Sequence, residues 1–148
     1  MKRILVGFFT CLALSLVQAR SEDSEWLADV PTALAKAKES KKLVLLDFTG
    51  SDWCPPCKAL HSKVFTSSAF KEYAKEKLVL VEVDFPNSKP QTPALKSKNA
   101  ALAKKFQIDS YPTVILLDSE GKELGRVGGY GGQDAKAYIA KLDALKKK

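Results

Sequence analysis

The sequence predicts a single α/β sandwich, and three observations carry that reading. Residues 43–48 (LVLLDF) and 78–85 (LVLVEVDF) are near-continuous apolar runs, the mark of strands buried on both faces. Segments with helical spacing of their apolar residues lie between and around them. The chain then closes with a hairpin signal and an amphipathic helix. At 148 residues, 45% hydrophobic and 28% charged, it has the composition of one globular domain, which excludes a disordered tail, a fibre or two full domains.

The elements follow in order. Lys2 and Arg3 open the chain, residues 4–17 are uncharged and mostly apolar, and small residues lead to Ala19. That is a secretory signal pattern, so we expect a leader over residues 1–19, cleaved after Ala19, and a domain over residues 20–148. The apolar run is short for a hydrocarbon core of about 30 Å. Cleavage would remove Lys2, Arg3 and Cys11 and lower the net charge from +7 to +5. Residues 20–30 are polar apart from Trp26, Leu27 and Val30, and suggest no element.

Residues 31–40 read as a helix with Pro31 at its first position. The strand at 43–48 is broken by Gly50-Ser51-Asp52, and a helix over 54–63 follows, with Leu60 and Val64 on its apolar side. A further helix covers 69–77 and leads into the strand at 78–85. Residues 86–93 hold three prolines and form a loop. Leu95, Leu102 and Phe106 mark a helix over 94–106. Residues 113–117 form a strand, 119–122 a turn, and 123–127 the returning strand of a hairpin. Gly128, Gly129, Gly131 and Gly132 make a joint before a helix over 135–145, whose apolar side is Ala135, Tyr138, Ile139 and Leu142.

Without Cys11, only Cys54 and Cys57 remain. A pair two residues apart closes too small a loop to restrain the unfolded chain much, so it suits redox chemistry better than stapling. The pair also follows a buried strand and opens a helix. Cys54 would then be the helix cap, where free N–H groups and the helix dipole favour a thiolate, the reactive form of the residue. We expect Cys54 to be exposed and Cys57, one turn in, to be shielded and placed to attack a mixed disulfide on Cys54. Pro55 at the first helical position forfeits no hydrogen bond. Pro56 has no N–H, so only Cys57 can donate to the Cys54 sulfur. Weak thiolate stabilisation places the couple toward the reducing end of the roughly −270 to −120 mV range of such pairs.

Cys54, Cys57 and His61 also share one helical face, the rival reading being a metal site. No second ligand pair exists, whereas zinc sites commonly use two, so no metal is expected. His61 is expected to pack beneath the cysteines. The lysines are spread along the chain rather than gathered with aromatics, which argues against nucleic-acid binding.

The segment Trp53-Cys54-Pro55-Pro56-Cys57-Lys58 after residues 45–48, the Tyr111-Pro112-Thr113 step, the hairpin over 118–127 and Gly128 after it together resemble the thioredoxin superfamily. The likeness is strongest to its small exported members with a Cys-Pro-Pro-Cys site. It implies a thioredoxin fold, a central mixed sheet of four or five strands flanked by helices. It implies disulfide exchange with protein thiols and disulfides through a redox-active Cys54–Cys57 disulfide, with no further cofactor. By the same likeness Asp47 lies beneath Cys57 and assists its deprotonation, although it precedes Cys54 by seven positions where the family has six. Pro112 should be cis, and Trp53, Tyr111 and Pro112 should line the groove for the substrate chain, with Pro55 and Pro56 tuning the couple. The expected protein is a periplasmic or secreted monomer, working as a reductant fed by a membrane thiol reductase. The alternatives are an oxidant or isomerase, or a peptide-binding module without turnover.

Overall fold

The computed structural model describes residues 25–146, so the expected leader over residues 1–19 lies outside the described residues. Five strands form one mixed sheet in the order β1-β3-β2-β4-β5. They are β1 (Trp26–Leu27), β2 (Leu43–Thr49), β3 (Leu78–Asp84), β4 (Thr113–Leu117) and β5 (Glu123–Gly128). β1, β3 and β2 run parallel, and β4 and β5 add antiparallel. The helices are α1 (Val30–Ser40), α2 (Pro55–Leu60), α3 (Ser68–Lys77), α4 (Pro93–Lys105) and α5 (Ala135–Leu145).

The central strand explains the two layers. Alternate residues of β2 point to opposite faces. Val44, Leu46 and Phe48 pack with Ala33, Ala37, Phe106 and Leu117, the side of α1 and α4. Leu45 packs with Leu60, Phe70, Tyr138 and Leu142, the side of α2, α3 and α5. Asp47 alternates onto this second face, a carboxylate where the pattern calls for an apolar side chain.

Helix starts are set by side-chain caps. Asp29, Ser67, Thr92 and Asp134 accept from the N–H groups of Thr32, Phe70, Leu95 and Ala137 at 2.8–3.2 Å. Such caps each contribute about 1 kcal/mol. Two elements differ from the sequence reading. β1 carries no periodic signal because it is only two residues long; it is held by pairing with β3 and by the Trp26 ring on Phe65 at 5.1 Å. The helix after the cysteines does not stop near residue 63 but widens into a π-helical turn, His61–Phe65. That turn brings the consecutive Val64 and Phe65 both into the core. Inserted π turns recur at functional sites.

Candidate active site

β2 delivers the chain to a tight turn at residues 50–53, and α2 begins there. Gly50 is required at this turn, since a Cβ on it would run into the Trp53 indole. Its carbonyl accepts from the N–H of Trp53 at 3.3 Å and of Cys54 at 2.9 Å. Cys54 is the extended cap residue of α2, and its sulfur accepts from the Cys57 N–H at 3.3 Å. Pro55 and Pro56 occupy the first two helical positions and supply no donor. Cys54 and Cys57 are joined as a disulfide with their Cα atoms 5.3 Å apart.

One expectation needs correction. Cys54 is not the exposed member of the pair: both cysteines are 3% exposed in the disulfide. Exposure therefore does not tell the two apart; the cap position does. On reduction, a thiol-alkylating reagent at neutral pH should label Cys54 several times faster than Cys57, because the cap favours its thiolate. Mass mapping of partly labelled protein reads the order, and equal labelling would remove the distinction between the two roles.

Asp47 and Cys57 line one cavity of about 220 Å³, together with Thr49, Lys58, His61 and Glu82. Asp47 is 5% exposed, and its Oδ1 has no hydrogen-bond partner. Burial, then the nearby Glu82 and Asp84 carboxylates, push its pKa up to about 8. A carboxyl group so placed can hold or accept a proton near neutral pH.

His61 is not packed beneath the cysteines. It is exposed, lines the same cavity and meets the Phe65 ring edge-on at 6.4 Å. The π turn that starts at His61 sends Val64 and Phe65 inward and leaves the imidazole at the surface. Among the described residues, no group of three or more His, Cys, Asp or Glu side chains is arranged to hold a metal.

The Tyr111–Pro112 bond is cis and Pro112 is buried. Trp53, 41% exposed, stands edge-on to the Tyr111 ring at 5.8 Å. Tyr111 in turn lies 5.3 Å from Phe85, and the Trp53 indole N–H donates to the Phe85 carbonyl at 2.7 Å. The proline-containing loop after β3 has a structural task that its sequence did not disclose. Asp52 accepts from the backbone N–H groups of Asn87, Ser88 and Lys89 at 2.7–3.0 Å, which holds its own pKa down at about 2. Asp84 accepts from the Ser51 N–H at 2.9 Å and from its hydroxyl at 2.6 Å. The loop is therefore tied to the turn that presents Trp53 and Cys54. Asp52, Asp84, Phe85 and Glu82 were missed from sequence; the polar Ser51-Asp52 pair in the lengthened turn was the available signal.

Comparison with known proteins agrees with this geometry. The thioredoxin-like domain family matches residues 30–146. The chain is 37% identical over 115 residues to the disulfide bond reductase DsbH of Chlamydia pneumoniae, covering 78% of this chain and 69% of that protein. It is 33% identical to the thioredoxin-related protein DsbJ of the same organism, over 97% of this chain but only 44% of DsbJ, so it spans less than half of that relative. A solved structure of a DsbH oxidoreductase superposes with a TM-score of 0.76 at 34% identity, covering 89% of this chain and 92% of the other. A five-stranded mixed sheet, a disulfide at the head of α2 and these relatives lead to one statement: the chain belongs to the thioredoxin-like family of thiol–disulfide oxidoreductases.

Proposed function

We propose that the protein is an exported reductant of protein disulfides. The observation that carries the direction is the single donor to Cys54: the Cys57 N–H reaches its sulfur, and two prolines fill the positions before it. A thiolate with few partners is a less stable form of the reduced couple, which gives electrons away more readily. The printed name of the relative DsbH, a disulfide bond reductase, supports the same direction.

Cys54 attacks a substrate disulfide and Cys57 resolves the mixed disulfide. Asp47 takes the Cys57 proton, while Trp53, Tyr111 and Pro112 present the groove for the substrate chain and Pro55 and Pro56 set the poise. No cofactor beyond the cysteine pair is needed. The leader-like residues 1–19 support a periplasmic or secreted address, with residues 20–148 as the working domain. An oxidising compartment drains a reductant, so a membrane thiol reductase is the electron donor in this reading, and the protein works as a monomer.

The test is turnover on insulin. The pre-reduced protein, recycled by dithiothreitol, should precipitate insulin B chains faster than dithiothreitol alone. Absence of any acceleration would leave a peptide-binding module without catalysis.

A further inference from the structure

We propose that Glu82 and His61 carry protons between Asp47 and solvent, so that resolution by Cys57 runs through three side chains of one cavity rather than through Asp47 alone. The inference deepens the reading above and rests on Cys54 as nucleophile and Cys57 as resolver.

Asp47 has a disposal problem. It is 95% buried, and its unpartnered Oδ1 belongs to a side chain that lines the cavity behind Cys57. A proton taken there has to leave before the next cycle. Glu82 is the register partner of Asp47 on the adjacent parallel strand, so the two side chains stand on the same face at the strand spacing of about 4.8 Å. Glu82 is half-buried and lines the same cavity, and His61 lines it from the exposed π turn. The electrostatics order these groups. Asp47 is raised by Glu82 and Asp84 after burial, whereas Glu82 is raised by burial and Asp84 and drawn back by His61 and Lys89. Glu82 therefore feels both neighbours' surroundings: it is in register with the buried Asp47 and it shares the cavity and a charge interaction with the exposed His61. An imidazole ring carries both a donor and an acceptor nitrogen, which suits the outer end. The other ionisable groups facing the site are Lys58 on α2, Lys89 in the loop after β3, and Tyr138 on α5, whose hydroxyl feels the Asp47 charge.

The step balances as follows. With substrate attached to Cys54 through a disulfide, the Cys57 thiol gives its proton to the Asp47 carboxylate. The Cys57 thiolate bonds to the Cys54 sulfur, the bond from Cys54 to the substrate sulfur breaks, and its electron pair leaves as the substrate thiolate, which takes a proton from water. Two electrons have passed to the substrate. Asp47 then releases its proton to Glu82, and His61 passes it to solvent.

The experiment is stopped-flow reaction of the reduced chain carrying Cys11→Ser, so that Cys54 and Cys57 are its only thiols, with excess 5,5′-dithiobis(2-nitrobenzoate). One nitrothiobenzoate is released as the Cys54 thiolate attacks the reagent's disulfide, and a second as Cys57 attacks the Cys54 sulfur and closes the disulfide. In Glu82→Gln and in His61→Ala the second phase should slow about tenfold, less than the roughly hundredfold or more expected when the base itself is removed. The double variant should be no slower than the slower single, since both residues serve one path. Added imidazole should restore the second phase of His61→Ala but not of Glu82→Gln, an effect that a purely structural role would not show. Unchanged second phases, additive losses or no rescue by imidazole would overturn the relay and leave Cys54 and Cys57 in their roles. A wild-type protein without a second phase would overturn the roles themselves, and the relay with them.

Discussion

Cys57→Ser should convert the protein from a catalyst into a covalent trap. Cys54 keeps its cap position and still attacks substrate disulfides, but no thiol remains one turn in to expel the product. Adducts joined through Cys54 should accumulate and dissolve on addition of dithiothreitol, and insulin turnover should fall by at least about a hundredfold, since one of the two covalent steps is lost. Non-reducing gels followed by mass spectrometry identify both the adduct and its attachment site. Adducts joined through any other residue, or full turnover in the variant, would contradict the assignment of the pair.

Asp47→Asn should make the protein more stable and less active at the same time. A carboxyl with a folded pKa of about 8 and an unfolded value of 3.8 stays protonated in the fold while the unfolded chain releases its proton. The fold therefore loses stability as pH rises through that window, at about 1.4 kcal/mol per pH unit, and the loss is complete above about pH 8. Asn has no proton to lose. The variant should match the wild type near pH 4 and exceed it by several kcal/mol at pH 9, measured by urea unfolding of the oxidised protein. Release of mixed disulfides by Cys57 should meanwhile slow by about a hundredfold, as expected when a positioned base is removed. Residues kept for chemistry at the expense of the fold commonly show this opposition. A variant less stable than the wild type at pH 9 would show that the buried carboxylate is not a burden on the fold.

The core architecture was legible because its signals are long and regular. Residues 43–48 and 78–85 announce buried strands by unbroken hydrophobicity, and the Ala135, Tyr138 and Leu142 spacing announces the last helix. Cys54 and Cys57 were legible because a short cysteine spacing at a strand-to-helix junction has few other uses. The cis step at Pro112 came with the family resemblance. Other features depend on contacts between residues far apart in the chain. β1 exists through Trp26 on Phe65, and Asp52, beyond the end of β2, reaches residues 87–89 beyond the end of the neighbouring β3. Neither leaves a periodic trace. His61 shares a cavity with Cys57, in keeping with its spacing on the helix, but it stays exposed where a packed position was expected, because the π turn that follows sends Val64 and Phe65 inward instead. Glu82 lay within a strand whose alternation looked merely apolar, and its meaning appears only when the register sets it beside Asp47.

The proposed direction of electron transfer rests on the Cys54–Cys57 pair, and the reduction potential of that pair tests it most directly. Equilibration with defined glutathione mixtures, read by thiol trapping, should place the couple near −270 mV, the reducing end of the family range. Pro56→His restores one N–H beside the Cys54 sulfur and adds a cationic partner, so the same titration should move upward by about 30 mV or more, a tenfold change in the equilibrium constant. A wild-type value near −120 mV, or a Pro56→His variant with the potential of its parent, would contradict the claim that the scarcity of donors at Cys54 makes this protein a reductant.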